Sequence, residues 1–304
     1  MERQTILIYS GGRIYARLGR GEKTLAQGVR FELRSSEKLA LIGETGSGKT
    51  MTALSIMDLM PENVAMEGGS IRFEGLDSSG PKGSRAALGR DIVYIPQSGH
   101  DCLNPSKRIK YHLYDGLKKL GIPRAVRRSR ALEALRAAGF SSPEVIMEKY
   151  PFQLSGGMAQ RATIAIAACA TPRLLIADEP TNGLDQAAKE DFMALLDRVF
   201  PGAGKLIITH DIGVAALCDR TLVLCGGRMM ETGPSDQVLR APRHPYTRAL
   251  IAALVENGMR QTPLLRPQAG PCPFYRRCPQ AGDACLGEPQ AWLDGDTEWW
   301  CAGL

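Results

Sequence analysis

Gly43-Glu-Thr-Gly-Ser-Gly-Lys-Thr50 is the stretch that decides how this chain folds. It follows the apolar run Leu39-Ala-Leu-Ile42, which has the pattern of a buried strand, and precedes Met51 to Met60, which has that of a helix. Three glycines let the backbone wrap a polyphosphate with its N–H groups turned inward. A helix beginning near Lys49 adds the positive end of its dipole. Lys49 has the reach for β- and γ-phosphates, and the Thr50 hydroxyl is a hard oxygen donor of the kind Mg²⁺ takes. Gly43, Glu44, Thr45, Gly46, Ser47, Gly48, Lys49 and Thr50 are therefore candidate nucleotide-binding residues. A glycine-rich turn with an exposed lysine would account for the composition but not for the strand and helix on either side.

Upstream, Gln4 to Tyr9 and Val29 to Leu33 read as short strands around a Gly- and Arg-rich connection. Tyr15 lies in that connection and is a candidate for stacking on an adenine ring, or else an ordinary strand tyrosine. Downstream, Ser70 to Phe73 and Asp91 to Ile95 read as strands with a polar Gly/Ser segment between them. Gln97 follows the second strand, where it could coordinate Mg²⁺ or position water; by itself it would be a loop residue. From about 98 to 160 the pattern is helical. Ile109 to Leu120 stops at Gly121, and Pro123 to Ala138 stops at Gly139. The second helix sets Arg124, Arg127, Arg128 and Arg130 opposite Val126, Leu132 and Leu135, which reads as a solvated basic face in preference to a nucleic-acid patch.

Leu154-Ser-Gly-Gly-Met-Ala-Gln-Arg161 then precedes a helix of small apolar residues, Ala162 to Ala170. Ser155 with the amides of Gly156 and Gly157 forms a second anion-binding nest at a helix start. Arg173 to Asp178 is an apolar strand ending in a carboxylate that can hold Mg²⁺ through water. Glu179, one residue on, can polarise an attacking water. The strand Lys205 to Thr209 delivers His210 to the same end of the sheet, within reach of a γ-phosphate.

The whole-chain numbers agree with one large domain, or one large and one small, in 304 residues. Hydrophobic content of 44% and charged content of 23% are those of an ordinary globular protein. No apolar run approaches the roughly 18 residues of a membrane span, and Thr5 to Tyr9 is too short for a secretory segment. A cytosolic chain is expected. Net charge +6 permits an acidic partner or a membrane surface without demanding nucleic acid.

Together these residues resemble the ATP-binding subunit of ABC transporters. The phosphate loop matches Walker A, Gln97 the Q-loop and Leu154 to Met158 the family signature. Leu174 to Asp178 matches Walker B, Glu179 the catalytic glutamate, Gly183-Leu-Asp185 the D-loop and His210 the switch histidine. Leu103-Asn-Pro105, Ile207 to Gly213 and His244 to Leu250 resemble the dipeptide/oligopeptide/nickel uptake branch. Met158-Ala-Gln, Ser36 in place of a glycine, and Gln186-Ala-Ala depart from the commoner patterns. The resemblance implies an α/β P-loop NTPase (RecA-like) core with an antiparallel β subdomain. It implies an ATPase domain over 1–240 with the helical insertion at 98–160, and an extension over 241–304. It further implies Mg²⁺ at Thr50, Gln97 and Asp178, and a composite ATP site in which Ser155, Gly156, Gly157 and Asp185 serve nucleotide bound by a second subunit. The implied partners are a second ATPase subunit in a heterodimer, two membrane permease subunits and an extracytoplasmic solute-binding protein, with no nucleic acid. The implied place is peripheral, on the cytoplasmic face of the inner membrane. An ABC ATPase of DNA repair or translation would show coiled-coil insertions or a second cassette. A non-hydrolysing regulatory module would not need Glu179 and His210.

Four of the eight cysteines, Cys272, Cys278, Cys285 and Cys301, fall in the last 33 residues. Their C-x5-C-x6-C-x15-C spacing lacks the close pairs of zinc ribbons. Similar tails in the dipeptide-type branch are associated with a [4Fe–4S] cluster, with Zn²⁺ and free or oxidised thiols as the alternatives. A segment so poor in aliphatic residues is expected to need such a staple.

Overall fold

The computed structural model describes residues 3–19, 21–77, 87–253 and 271–302. The chain opens with a long strand, β1 (Thr5–Leu18), which pairs antiparallel with β2 (Gly21–Gln27), β3 (Arg30–Arg34) and, further along, β5 (Val64–Phe73). A short β6 (Leu76–Asp77) completes this sheet. The expected break after Tyr9 is absent: β1 runs straight through Gly11 and Gly12. The reason is backbone proximity, since a Cβ on Gly12 would stand 2.0 Å from the Glu67 carbonyl oxygen of β5. What the sequence presents as a loop composition is a crossing point of two strands. The polar segment expected ahead of Asp91 falls partly at 78–86, outside the described residues.

The second sheet holds the core. The strands β4 (Lys38–Ile42), β7 (Ile92–Ile95), β8 (Leu174–Asp178), β9 (Gly204–Thr209) and β10 (Arg220–Cys225) run parallel in the order β10-β4-β9-β8-β7. Both faces are covered, as a parallel sheet requires. Alternate residues feed two separate cores. Ala40, Ile42, Leu175, Ala177, Ile207 and Val223 pack on the side of the helical insertion. Leu39, Leu41, Leu174, Ile176, Leu206 and Leu222 pack against Tyr9, Phe31 and Ile71 of the antiparallel sheet and against Ile56. Each buried aliphatic side chain contributes roughly 1.5–3 kcal/mol.

The insertion comprises the helices Ile109–Lys119, Arg124–Ala137, Pro143–Glu148 and Gly156–Ala168. The stops at Gly121 and Gly139 stand as expected. The apolar face of Arg124–Ala137 is Ala131, Leu132, Ala134 and Leu135, whereas Val126 is exposed: it lies in the first turn, ahead of where the helix meets its neighbours. The helix after the phosphate loop is shorter than its apolar pattern, Lys49–Ile56. Asp58, at φ 53°, turns the chain out of the helix direction.

The C-terminal part docks on this framework. Beyond β10, β11 (Arg228–Pro234) pairs antiparallel, and the hairpin β12 (Gln290–Asp294)–β13 (Thr297–Cys301) extends the core sheet past it. Tyr246 of the helix Pro245–Ala252 and Phe274 are almost fully buried, ring edge to ring face at 5.3 Å. The tail thus borrows the cassette's sheet edge and core, a source of order that its own composition does not reveal. Residues 254–270 of the expected extension lie outside the described residues. Among the described residues no helix is long and apolar enough to cross a membrane.

Two substitutions test this packing in opposite directions. Gly12→Ala forces β1 and β5 apart and should cost about 2 kcal/mol in urea unfolding. Ser36 holds φ 57°, the left-handed region where a side chain is penalised; Ser36→Gly should raise stability by about 0.5 kcal/mol after the entropy of glycine is counted.

Candidate functional site

The candidate site lies where three parallel strands end at their carboxyl termini, the usual place for ligands in such sheets. β4 leads into the phosphate loop, β8 ends in Asp178, and β9 leads to His210. The loop begins at Gly43, where a Cβ would meet the Leu224 carbonyl oxygen of β10 at 2.1 Å; φ there is 149°. Only glycine fits between those strands. Leu25 and the segment from Gly46 to Met51 enclose a cavity of about 210 Å³. Lys49, 8% exposed, turns into the loop, its ammonium donating to the carbonyls of Gly43 (2.7 Å) and Glu44 (3.0 Å) and to Ser47 Oγ (3.5 Å). Burial lowers the Lys49 pKa, opposed by the nearby charges of Glu179, Asp178 and Glu44. The cradle and the buried ammonium fit a polyphosphate.

Asp178 is buried, and burial pushes its carboxyl above the usual range. The Thr50 hydroxyl holds it down, the Glu179 charge raises it further, and Tyr94 and Lys49 act against that. A buried carboxylate and a hydroxyl side by side are hard oxygen donors that fit Mg²⁺. Glu179 stands at φ 47°, a conformation costing about 1–3 kcal/mol for a non-glycine residue. It is held there by its N–H, which donates to Ile208 O at 2.8 Å. The Glu179 Oε2 lies 2.8 Å from His210 Nδ1 and accepts from the His210 main-chain N–H at 3.4 Å. Strand pairing of β8 with β9 thus joins the glutamate and the histidine, 31 residues apart in sequence, into one unit.

The other expected residues stand around this centre. Gln97 is exposed beyond the end of β7, the strand beside β8. Ser155 caps the helix Gly156–Ala168, its Oγ accepting from Met158 N–H at 3.3 Å, and Ser155, Gly156 and Gly157 are exposed. That helix is tied to the centre indirectly: Gln160 Nε2 donates to Pro180 O at 2.8 Å, just past Glu179. The backbone of Gly99 lies against Ala159 and Gln160. Asp185 caps the helix Gln186–Val199, accepting from Ala188 N–H at 2.8 Å. Tyr15 sits opposite Thr24 of β2, between the guanidiniums of Arg13 (4.7 Å) and Arg17 (5.8 Å) from its ring centre.

Sequence reasoning passed over Tyr94, whose hydroxyl donates to Asp178 Oδ2 at 3.4 Å. In Ile92-Val-Tyr-Ile95 a tyrosine is simply a good strand former; its only signal is a polar tip one residue from the end of a buried strand. Tyr246 and Arg277, from the C-terminal part, also reach the phosphate loop at Glu44. No spacing in the sequence announces those contacts.

The tail cysteines come together in part. Burial raises the thiol pKa of Cys272 and of Cys278; Cys278, Cys301 and Cys285 raise the first further, and Cys285 and Cys301 the second, so the four share one neighbourhood. Among the described residues, however, no group of three or more Cys, His, Asp or Glu is placed to hold a metal ion. Cys272, Cys278, Cys285 and Cys301 thus lie near one another without forming such a group, and sheet pairing with the Phe274 anchor orders the segment that carries them.

Known proteins share both the sequence and the fold. A family profile described as ABC transporter matches residues 26–182, and one described as the oligopeptide/dipeptide transporter C-terminal region matches residues 230–285. The "Probable peptide ABC transporter ATP-binding protein" of Sinorhizobium fredii is 36% identical over 287 residues, 87% of this chain and 85% of that protein. The dipeptide transport ATP-binding protein of Haemophilus influenzae is 34% identical over 86% of this chain and 84% of its own. The nickel import ATP-binding protein of Rhodospirillum rubrum is 37% identical over 80% and 92%. A dimeric ATP-binding cassette solved with ADP and Pi superposes at TM-score 0.66 and 24% identity over 76% of this chain and 99% of that one, a likeness of fold. A part of an ABC transporter complex from Clostridium perfringens superposes at 0.66 and 25% identity, over 78% and 92%. The phosphate loop, the signature, Asp178 and Glu179 fall inside the first profile and the helix Pro245–Ala252 inside the second, and the chain is a member of the ABC transporter family, an ATP-binding subunit and ATPase.

Proposed function

We propose that this chain hydrolyses ATP to power import of peptides, or of nickel and other metal chelates, through a membrane permease. The observation that carries the reading is the Glu179–His210 pair at the carboxyl ends of β8 and β9, beside Lys49 and Asp178. Lys49 and the loop amides bind and orient the phosphates. Thr50 and Asp178, with Gln97 from the neighbouring strand end, would hold Mg²⁺, which would supply charge neutralisation at the phosphoryl oxygens. Glu179 accepts a proton from the attacking water, and His210 holds its carboxylate in line. Tyr94 steadies Asp178. Tyr15 offers a ring for the adenine, its arginine neighbours suiting it to a polyanionic ligand.

Ser155, Gly156 and Gly157 are exposed, as is Asp185, which supports a composite site in which they cap ATP held by a second subunit. That second subunit, two permease subunits and an extracytoplasmic solute-binding protein complete the complex, a heterodimer of ATPases at the cytoplasmic face of the inner membrane. The names of the peptide, dipeptide and nickel relatives support the solute classes. The cassette is assigned to 1–240, with the helical insertion at 98–160, and the extension to 241–304. A [4Fe–4S] cluster on Cys272, Cys278, Cys285 and Cys301, or Zn²⁺ in its place, is the finer part of this reading. It is supported by the shared neighbourhood of the thiols, and loading would draw them into ligand positions they do not hold here.

In the assembled complex, Glu179→Gln should lower the ATPase rate at least about 100-fold while ATP still binds; retention of most of the rate would remove Glu179 from the role of base. Lys49→Ala should act on ATP affinity instead. Tyr94→Phe should raise the Mg²⁺ concentration for half-maximal activity about twofold, the modest effect of one long hydrogen bond. For the tail, iron and zinc are assayed on protein purified without oxygen. Iron that is lost in Cys278→Ser supports the cluster, stoichiometric zinc supports the alternative, and neither metal leaves four thiols.

A further inference from the structure

Glu44 is gripped twice by a part of the chain some two hundred residues away. Arg277, at the end of the 3-10 turn Tyr275–Arg277, sends a two-pronged bridge to it: Nη1 donates to Oε1 at 2.7 Å and Nη2 to Oε2 at 3.0 Å. Tyr246 Oη accepts from the Glu44 main-chain N–H at 3.1 Å. The arginine side chain is only 6% exposed, against 38% for Glu44. Its guanidinium packs on the rings of Phe274 (5.1 Å) and Tyr246 (5.9 Å) and reaches Cys225 Sγ at 3.7 Å, at the end of β10. The Glu44 carbonyl accepts from the Lys49 ammonium, so the gripped residue belongs to the network that shapes the phosphate loop.

An acidic side chain in a loop that cradles a polyphosphate is an electrostatic liability. At short range in a partly buried site two like charges repel by several times their energy in water. A planar guanidinium that forks onto both carboxylate oxygens cancels that charge and fixes its direction, which a lysine cannot do with the same geometry. The rings behind it keep the arginine in place at little entropic cost.

We propose that Arg277 is a positioning residue for ATP binding: it neutralises Glu44 and aims its carboxylate away from the phosphates, while Tyr246 anchors the main chain of the same residue. The C-terminal extension is thereby a working part of the phosphate-binding loop. This rests on the reading of Gly43–Thr50 as the ATP site.

Titration of the purified full-length chain with Mg·ATP tests it. Arg277→Ala should weaken ATP binding about tenfold, with the rate at saturating ATP in the assembled complex changed less than about twofold. Arg277→Lys, which restores charge without the fork, should recover part of the loss. Glu44→Gln introduced into Arg277→Ala should recover most of it, because the uncompensated carboxylate is gone. A simple loosening of the tail would leave the double variant as weak as the single one, and that result would overturn the proposal. So would an Arg277→Ala protein that melts like the wild type and binds ATP within twofold of it. Wild-type protein that bound no Mg·ATP would instead remove the nucleotide reading itself.

Discussion

The parallel pairing of β4 with β9 and β10 is the constraint from which the rest follows. Because the strands run the same way, their carboxyl ends gather at one edge, where three of them deliver functional groups: the phosphate loop from β4, Asp178 and Glu179 from β8 beside β9, His210 from β9. Both faces of such a sheet must be covered. The helical insertion and the antiparallel sheet do this by taking alternate residues of every core strand. The contact of Gly43 with Leu224 shows how little room the pairing leaves: the loop can start only where a residue has no side chain.

Strain and buried charge are concentrated at that edge. Glu179 occupies a backbone conformation that most residues avoid, Lys49 is an ammonium largely withdrawn from water, and Asp178 is a carboxylate likewise withdrawn. Each is unfavourable alone. Together they are tolerable, because the Lys49 charge offsets those of Asp178 and Glu179, and strand pairing supplies the Ile208 carbonyl to the Glu179 amide. The same groups are those a polyphosphate and a divalent cation would engage.

The C-terminal extension solves a different problem. It has few aliphatic residues, so it cannot build a core of its own. It adds β12 and β13 to the exposed edge beyond β11, and it inserts Phe274 next to Tyr246. Covering an edge strand and filling a gap in an existing core orders the segment at low cost. It also brings Arg277 to the phosphate loop.

Much of this was legible in the sequence. Runs such as Leu39 to Ile42 and Leu174 to Asp178 carry their own periodicity and end in residues of unmistakable chemistry, so strand, loop and role are encoded within a few positions of one another. Helix caps such as Ser155 and stops such as Gly121 are local in the same sense. What the sequence could not display depends on which distant backbones lie side by side. Gly12 reads as a loop residue until Glu67 is seen against it; Tyr94 reads as a strand former until β7 is paired with β8; the tail reads as a segment with no core of its own until its hairpin is found on the core sheet. Arg277 and Glu44, 233 positions apart, meet only because β13 takes one register on β11 and Phe274 one place in the core. Local propensity and spacing act over a turn or a strand, whereas such a meeting is set by close packing of the whole chain, and only the tertiary structure decided it.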